Sequence, residues 1–148
     1  MEEKLLQIIN ENKEKRICVL APTCTGKTTF IKKYNIGKDM DKEIFPLLTE
    51  EETNYVCQTP WTEEIGNKMN ELVRTKLKIE KGTPLFGTVL LDCDLIIYLK
   101  ISDEELFKRT QQRKVDFNNA LNMKKSIEEE LEQKEIEKII IEVENTYF

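Results

Sequence analysis

Residues 16–29 read RICVLAPTCTGKTT, a short apolar run followed by a polar loop and the start of a helical pattern. The run at 16–20 has the composition of a strand that is buried on both faces of a parallel sheet. The loop closes with Gly26, Lys27 and Thr28, and Ala21 holds the position where its first glycine is usual. This spacing is the pattern of a phosphate-binding loop between a strand and a helix.

Such a loop binds a polyphosphate through main-chain N–H groups at a helix N-terminus, which have no partner inside the helix. Gly26 permits backbone conformations that a side chain would forbid. We expect Lys27 to contact the β- and γ-phosphates of a nucleoside triphosphate, and the Thr28 hydroxyl to bind Mg²⁺. The other loop residues expected to surround the phosphates are Thr23, Cys24, Thr25 and Thr29.

Composition limits the classes of function that fit the chain. The net charge of −5 and the pI of about 5.0 argue against a nucleic-acid-binding protein. No apolar run is long enough to span a membrane, and the N-terminal residues MEEK have no signal-peptide core, so we expect a cytoplasmic protein. Four cysteines form no CxxC pair and histidine is absent, which argues against a zinc site. A general base must therefore be a carboxylate, a lysine, a tyrosine or a water molecule.

Hydrophobic periodicity and turn signals predict an α/β protein. The 148 residues suit a single domain, 1–148, in which helices and strands form a three-layer α/β/α sandwich with a parallel sheet of about five strands. We expect strands at 16–20, around Asp39, and at 83–87, 95–101 and 136–143. We expect helices at 2–13, 27–34, 63–80, 104–113 and 126–133.

Two acids follow the first βα unit and form a second candidate site. Asp39 and Asp41 alternate in the sequence, so on an extended strand end they would point in the same direction. The alternative is a polar turn between two elements, which is common in a chain with 28 acidic residues.

Two arginines form a third candidate. Arg109 and Arg113 are four residues apart and lie on one face of the predicted helix. Side by side, two guanidinium groups repel unless an anion lies between them or acids neutralise them, which favours phosphate binding. The alternative is that the arginines pair with Glu105 and with surface acids.

Three further segments carry weaker signals. Residues 42–62 contain Tyr55, Gln58 and Trp61 and form either a mobile cap over a substrate or ordinary packing. Residues 110–126 are polar and predict a flexible lid, and a loop at 144–148 is expected near the nucleotide base. The apolar run before Asp92 suggests a magnesium ligand at Asp92 or Asp94, unless these acids only cap a turn.

Taken together, these motifs resemble the small P-loop kinases of the nucleoside-monophosphate and shikimate kinase type. The first match is Ala21 followed by Gly26-Lys27-Thr28, and the second is the Asp39-Met40-Asp41 segment, which is similar to the Asp-x-Asp segment of shikimate and gluconate-type kinases. The third is the strand from Asp94 that leads to Arg109 and Arg113. The likeness spans residues 16–143.

The resemblance implies a transferase that uses ATP and Mg²⁺ and moves the γ-phosphate to a small acceptor, which we expect to be a nucleoside or nucleotide. It implies that Asp39 holds Mg²⁺ through water and that Asp41 binds the acceptor hydroxyl or acts as its base. It also implies that Arg109 and Arg113 close on the transferring phosphate. Alternatives are a nucleotide-binding NTPase or switch protein without an acceptor, a degenerate kinase kept as a binding module, and a shikimate- or gluconate-type metabolite kinase. The chain is expected to be a monomer or a homodimer.

Overall fold

A computed structural model of the chain describes residues 2–60 and 62–143. Within them, helices and strands follow one another in the order expected of an α/β protein. The elements are α1 (Glu2–Glu11), β1 (Ile17–Leu20), α2 (Lys27–Tyr34), β2 (Lys38–Asp39), α3 (Met40–Ile44), a 3₁₀ turn (Phe45–Leu47), α4 (Glu50–Val56), α5 (Glu63–Lys76), β3 (Leu85–Gly87), β4 (Leu95–Ile101), α6 (Asp103–Arg113), α7 (Phe117–Gln133) and β5 (Glu137–Val143).

The five strands form one parallel sheet in the order β2-β3-β1-β4-β5. Val19 of β1 lies opposite Phe86 of β3 on one side and Ile97 of β4 on the other. All four residues of β1 are buried, as expected for a strand at the centre of a parallel sheet. The structure confirms the predicted three-layer fold with five parallel strands.

Alternate residues of β1 supply the two faces of the core. Ile17 and Val19 belong to a cluster that also contains buried residues of α1, α2 and α6. Cys18 and Leu20 belong to the opposite cluster, with buried residues of α3, α5 and α7. The period-2 alternation of a strand therefore places one helical layer on each face of the sheet.

Helix α5 ends earlier than the sequence pattern predicts. It ends at Lys76 instead of near residue 80, because Leu77 is already extended and both Leu77 and Ile79 are buried. The reversal that follows is a turn between Glu80 and Thr83, in which Gly82 has a φ of 80°. The predicted stop at Gly82 therefore marks this turn and not the helix end.

The predicted lid and cap regions contain more regular structure than expected. In the lid region, α6 reaches Arg113 and α7 begins at Phe117, since the Asp116 side chain accepts a hydrogen bond from the main-chain N–H of Asn119. Ser126 lies inside α7, so the predicted helix start there is wrong. In the cap region, α3, the 3₁₀ turn and α4 occupy most of residues 42–56, while Trp61 lies outside the described residues.

Within residues 2–60 and 62–143, the structure contains no helix of the length and apolar character that a membrane span requires.

Candidate functional site

The predicted phosphate-binding loop lies at the centre of the sheet, where the strands that follow β1 are placed on its two opposite sides. It follows the carboxyl end of β1, which has β3 on one side and β4 on the other. The N–H of Ala21 donates to the carbonyl oxygen of Gly87 at 3.1 Å, which ties the loop to the end of β3. In open parallel sheets, the crevice at this position is where ligands bind.

The loop is curled, and two of its residues have left-handed backbone conformations. Cys24 has a φ of 69° and Gly26 a φ of 94°. The Thr25 hydroxyl donates to the carbonyl oxygen of Pro22 at 2.9 Å and closes the curl from within. No side chain caps the N-terminus of α2, so the N–H groups of its first turn remain available to an anion.

Lys27 lies across the curl. Its ammonium donates to the carbonyl oxygens of Ala21 at 2.6 Å and Pro22 at 2.9 Å. Burial lowers the pKa of Lys27 to about 8, although the negative charges of Asp41 and Asp39 counteract this effect. An anionic ligand would stabilise the charged form of this lysine and replace the two carbonyl contacts with stronger charge-assisted ones.

Asp39 connects the loop to the second predicted site. The Thr28 hydroxyl donates to Oδ2 of Asp39 at 3.2 Å. Asp39 is the last residue of β2, and its Oδ1 accepts the main-chain N–H of Asp41 at 3.0 Å, which caps α3. The structure thus brings together Thr28 and Asp39, the two residues predicted to serve Mg²⁺.

The expectation that Asp39 and Asp41 share one extended strand is wrong. Helix α3 begins at Met40, so Asp41 lies in its first turn while Asp39 ends the strand. Asp41 keeps solvent contact on its open side, but partial burial and the charge of Asp39 raise its pKa, while Lys27 lowers it. The negative charges of both carboxylates therefore still favour the protonated form of Lys27.

The residues present fit a magnesium ion that is shared with a polyphosphate. The described part of the chain has no group of three or more His, Cys, Asp and Glu side chains suited to hold a metal ion by themselves. Mg²⁺ is usually held by one or two carboxylates together with substrate phosphates and water. The Thr28 hydroxyl and the Asp39 carboxylate, adjacent to each other and to the helix N-terminus, match that donor set.

The two arginines occupy different environments. Arg109 is fully buried, and its Nε donates to Oε1 of Glu105 at 2.9 Å while its Nη1 donates to the carbonyl oxygen of Cys24 at 3.2 Å. Arg109 therefore supports the loop through the carbonyl oxygen of Cys24. For this arginine the structure contains the predicted alternative, a pair with Glu105. Arg113 is exposed, and its positive charge contributes to the lowered pKa of Lys27. Of the two arginines, Arg113 is therefore the one that is open to solvent.

The interpretation of Asp92 or Asp94 as a magnesium ligand is wrong. Both acids pair with Arg16, Asp92 at 2.9 Å and Asp94 at 3.1 Å, and Arg16 lowers the pKa of Asp94. Arg16 precedes β1, so these acids lie at the amino edge of the sheet, opposite the phosphate-binding loop. Residues 88–94 form no strand and carry the chain back to that edge, with Val89 to Leu91 buried.

Gly87 is a positioning residue that the sequence interpretation did not identify. A Cβ atom at Gly87 would clash with the side chain of Met40, the residue between the two acids. The carbonyl oxygen of Gly87 also accepts a hydrogen bond from the Ala21 N–H. A glycine at the end of a predicted strand was the available signal, because it often marks a close approach of another chain segment.

A scan against protein-family models and a search of curated proteins found no match to this chain. The predicted loop at 144–148 lies outside the described residues, as does Trp61. The functional interpretation therefore depends on the geometry at the carboxyl edge of the sheet.

Proposed function

We propose that the chain is an ATP- and Mg²⁺-dependent phosphotransferase that acts on a small acceptor of the nucleoside or nucleotide type, in the manner of a small P-loop kinase. The observation that carries the proposal is the contact between Thr28 and Asp39 beside the curled loop. It joins the N-terminus of α2, whose first N–H groups are open to an anion, to a carboxylate that would hold Mg²⁺ together with the Thr28 hydroxyl.

In this proposal the first turn of α2 and Lys27 bind the β- and γ-phosphates. The ammonium exchanges the carbonyl oxygens of Ala21 and Pro22 for phosphate oxygens. Thr28 and Asp39 would hold Mg²⁺, which supplies neutralisation of the phosphate charge when bound. Arg113 adds positive charge near the phosphates, while Arg109 holds the loop through its hydrogen bond to the carbonyl oxygen of Cys24.

Asp41 binds the acceptor hydroxyl and takes its proton. The acceptor oxygen forms a bond to the γ-phosphorus, and the bond between that phosphorus and the β–γ bridging oxygen breaks with its electron pair leaving on ADP. The proton of the hydroxyl passes through Asp41 to solvent. Because phosphoryl transfer needs little covalent chemistry from the protein, positioning and charge neutralisation provide most of the acceleration.

The proposal is tested by ADP release from Mg·ATP in the presence of nucleosides, nucleotides and sugar acids. A kinase releases ADP only with its acceptor, and the phosphorylated acceptor accumulates in equal amount. ADP release that no acceptor stimulates would instead indicate a nucleoside triphosphatase or switch protein. Stimulation by a sugar acid alone would indicate a metabolite kinase.

A further inference from the structure

The outer edge of β5 is a regular strand edge, and no other strand pairs with it in the part of the chain that the structure describes. Strand β5 is the last strand in the sheet order, and its residues pair one-to-one with β4 from Glu137 to Val143. The strand contains no proline, and its pairing with β4 is continuous. Prolines and bulges are common devices that keep the edge of a sheet from pairing with another chain. The main-chain groups along this edge are therefore open to a further strand.

An apolar side chain lies at the centre of this edge. Ile140 is the middle residue of β5 and is 55% exposed, the highest value among the exposed large hydrophobic residues of the described chain. It faces the same side of the sheet as Lys138 and Glu142, because alternate residues of a strand point to one face. On the other face, Ile141 and Val143 are buried. The exposed face of β5 therefore has an isoleucine between two opposite charges.

This arrangement is complementary to a second copy of itself. When two copies of β5 run antiparallel about a twofold axis at Ile140, the two Ile140 side chains face each other. Each Lys138 then faces Glu142 of the second copy, and on the other face Ile139 faces Ile141. Opposite charges and apolar side chains that lie directly across antiparallel strands stabilise the pairing. This register also keeps all seven residues of both strands paired.

Registers with the axis at another residue lack this complementarity. With the axis at Ile139, Lys138 faces Ile140 instead of a carboxylate. With the axis at Ile141, Glu142 faces Ile140 instead of an ammonium group. An axis at Lys138 or at Glu142 places like charges opposite each other, which destabilises a strand pair. The sequence of β5 therefore favours the register centred on Ile140.

Both charged residues are available for the new ion pairs. Glu142 is exposed and lies opposite Lys100 of β4 in the sheet register. In the paired state it would therefore lie between Lys100 of its own chain and Lys138 of the second copy. The Lys138 ammonium donates to the carbonyl oxygen of Lys134. An ammonium group has three N–H donors, so this contact leaves two for a carboxylate. The pairing needs no rearrangement of the core.

We propose that two copies of this chain associate through β5 and join their five-stranded sheets into one continuous sheet. Main-chain hydrogen bonds between the two strands would supply affinity, while the contacts of Lys138 with Glu142 would fix the register. The association does not depend on the proposed phosphotransferase function. Strand β4 separates β5 from β1, so the loop between β1 and α2 stays on the far side of β4 from the interface.

Sedimentation equilibrium of the full chain over a range of concentrations tests the proposal. The expected result is a reversible dimer of twice the chain mass of 17.5 kDa. Ile140→Lys places two ammonium groups at the twofold axis and removes the apolar contact, so it should weaken the dimer at least about tenfold. Leu47→Lys makes the same kind of change at a 49% exposed position in the 3₁₀ turn and should leave the dimer unchanged. A chain that is monomeric at every concentration, or a dimer that Ile140→Lys does not weaken, would overturn the proposal.

An exchange of charges tests the register. Lys138→Glu makes two carboxylates face each other on each side of the axis, and Glu142→Lys does the same with two ammonium groups. Each variant alone should therefore dimerise severalfold more weakly than the unsubstituted chain. In an equimolar mixture, a dimer with one copy of each variant again has opposite charges at both positions, so mixing should restore dimerisation. Misfolding of either variant would not be corrected by mixing. A mixture that dimerises no better than the separate variants would contradict the pairing of β5 with β5.

Discussion

Asp39 and Asp41 are two residues apart, yet the structure gives them different surroundings. Asp39 ends β2 and contacts the Thr28 hydroxyl, so its carboxylate belongs with the phosphate-binding loop. Asp41 lies in the first turn of α3, and partial burial and the nearby charge of Asp39 raise its pKa. A carboxylate with a raised pKa is a better proton acceptor, which suits contact with an acceptor hydroxyl.

We predict that Asp41→Asn lowers the rate of phosphoryl transfer by about 10²- to 10⁴-fold, because the side chain can no longer take a proton. Affinity for Mg·ATP should change less than about twofold, since Asp41 is not among the groups that hold the phosphates. Single-turnover transfer rates and calorimetric titration measure the two quantities separately. Full transfer by Asp41→Asn would remove the assigned role.

Asp92→Asn is the matched control for this variant. It makes the same chemical change at an aspartate that pairs with Arg16 at the amino edge of the sheet. Because the Asp92 side chain is 88% exposed, the loss of this ion pair should leave the melting temperature almost unchanged. Its transfer rate should equal that of the unsubstituted protein.

At the scale of elements, α6 and the phosphate-binding loop form one unit. The buried ion pair between Arg109 and Glu105 directs a guanidinium N–H to the carbonyl oxygen of Cys24, a residue held in the left-handed conformation. A non-glycine residue in that conformation is strained and needs support from its surroundings. In the proposed function, Arg109 therefore supports nucleotide binding through the loop and does not contact the nucleotide itself.

We predict that Arg109→Met alone destabilises the fold by about 3–5 kcal/mol, because it leaves the buried Glu105 carboxylate without its ion-pair partner. The double variant Arg109→Met with Glu105→Leu should recover most of the melting temperature, since an apolar pair often replaces a buried ion pair at little cost. Its affinity for Mg·ATP should stay at least severalfold weaker, because the Cys24 carbonyl loses a donor. A double variant with unchanged ATP affinity would contradict the bracing role.

Elements with strong local signals were predictable from the sequence. The run of apolar residues at 95–101 and the Ser102 N-cap mark β4 and the start of α6, and both lie where the patterns place them. Residues 117–125 were not predictable as helix, because this stretch is mostly polar and its two buried positions, Ala120 and Lys124, form no apolar stripe. That helix is stabilised by packing against the rest of the fold, which local composition does not encode.

At the scale of the whole molecule, the sheet order decides which candidate residues meet. The carboxyl ends of β2, β3 and β1 lie side by side, which brings Asp39 and Gly87 to the phosphate-binding loop. The sequence predicted a loop between β1 and α2 from the Gly26-Lys27-Thr28 pattern, and the structure has a curled loop at that place. The sequence did not predict the position of Asp92. Residues 88–94 return from the carboxyl edge of the sheet to its amino edge, and that path depends on tertiary structure.

The central claim is that the curled loop and Lys27 bind a nucleoside triphosphate together with Mg²⁺. Isothermal titration calorimetry of ATP with magnesium tests it most directly, on the unsubstituted chain and on Lys27→Ala, with Lys32→Ala on the exposed side of the same helix as the control. The account predicts one binding site, unchanged affinity for Lys32→Ala, and affinity at least about tenfold weaker for Lys27→Ala, the minimum expected for a lost charge-assisted contact. No uptake of Mg·ATP by the unsubstituted chain, or equal affinity in Lys27→Ala, would contradict it.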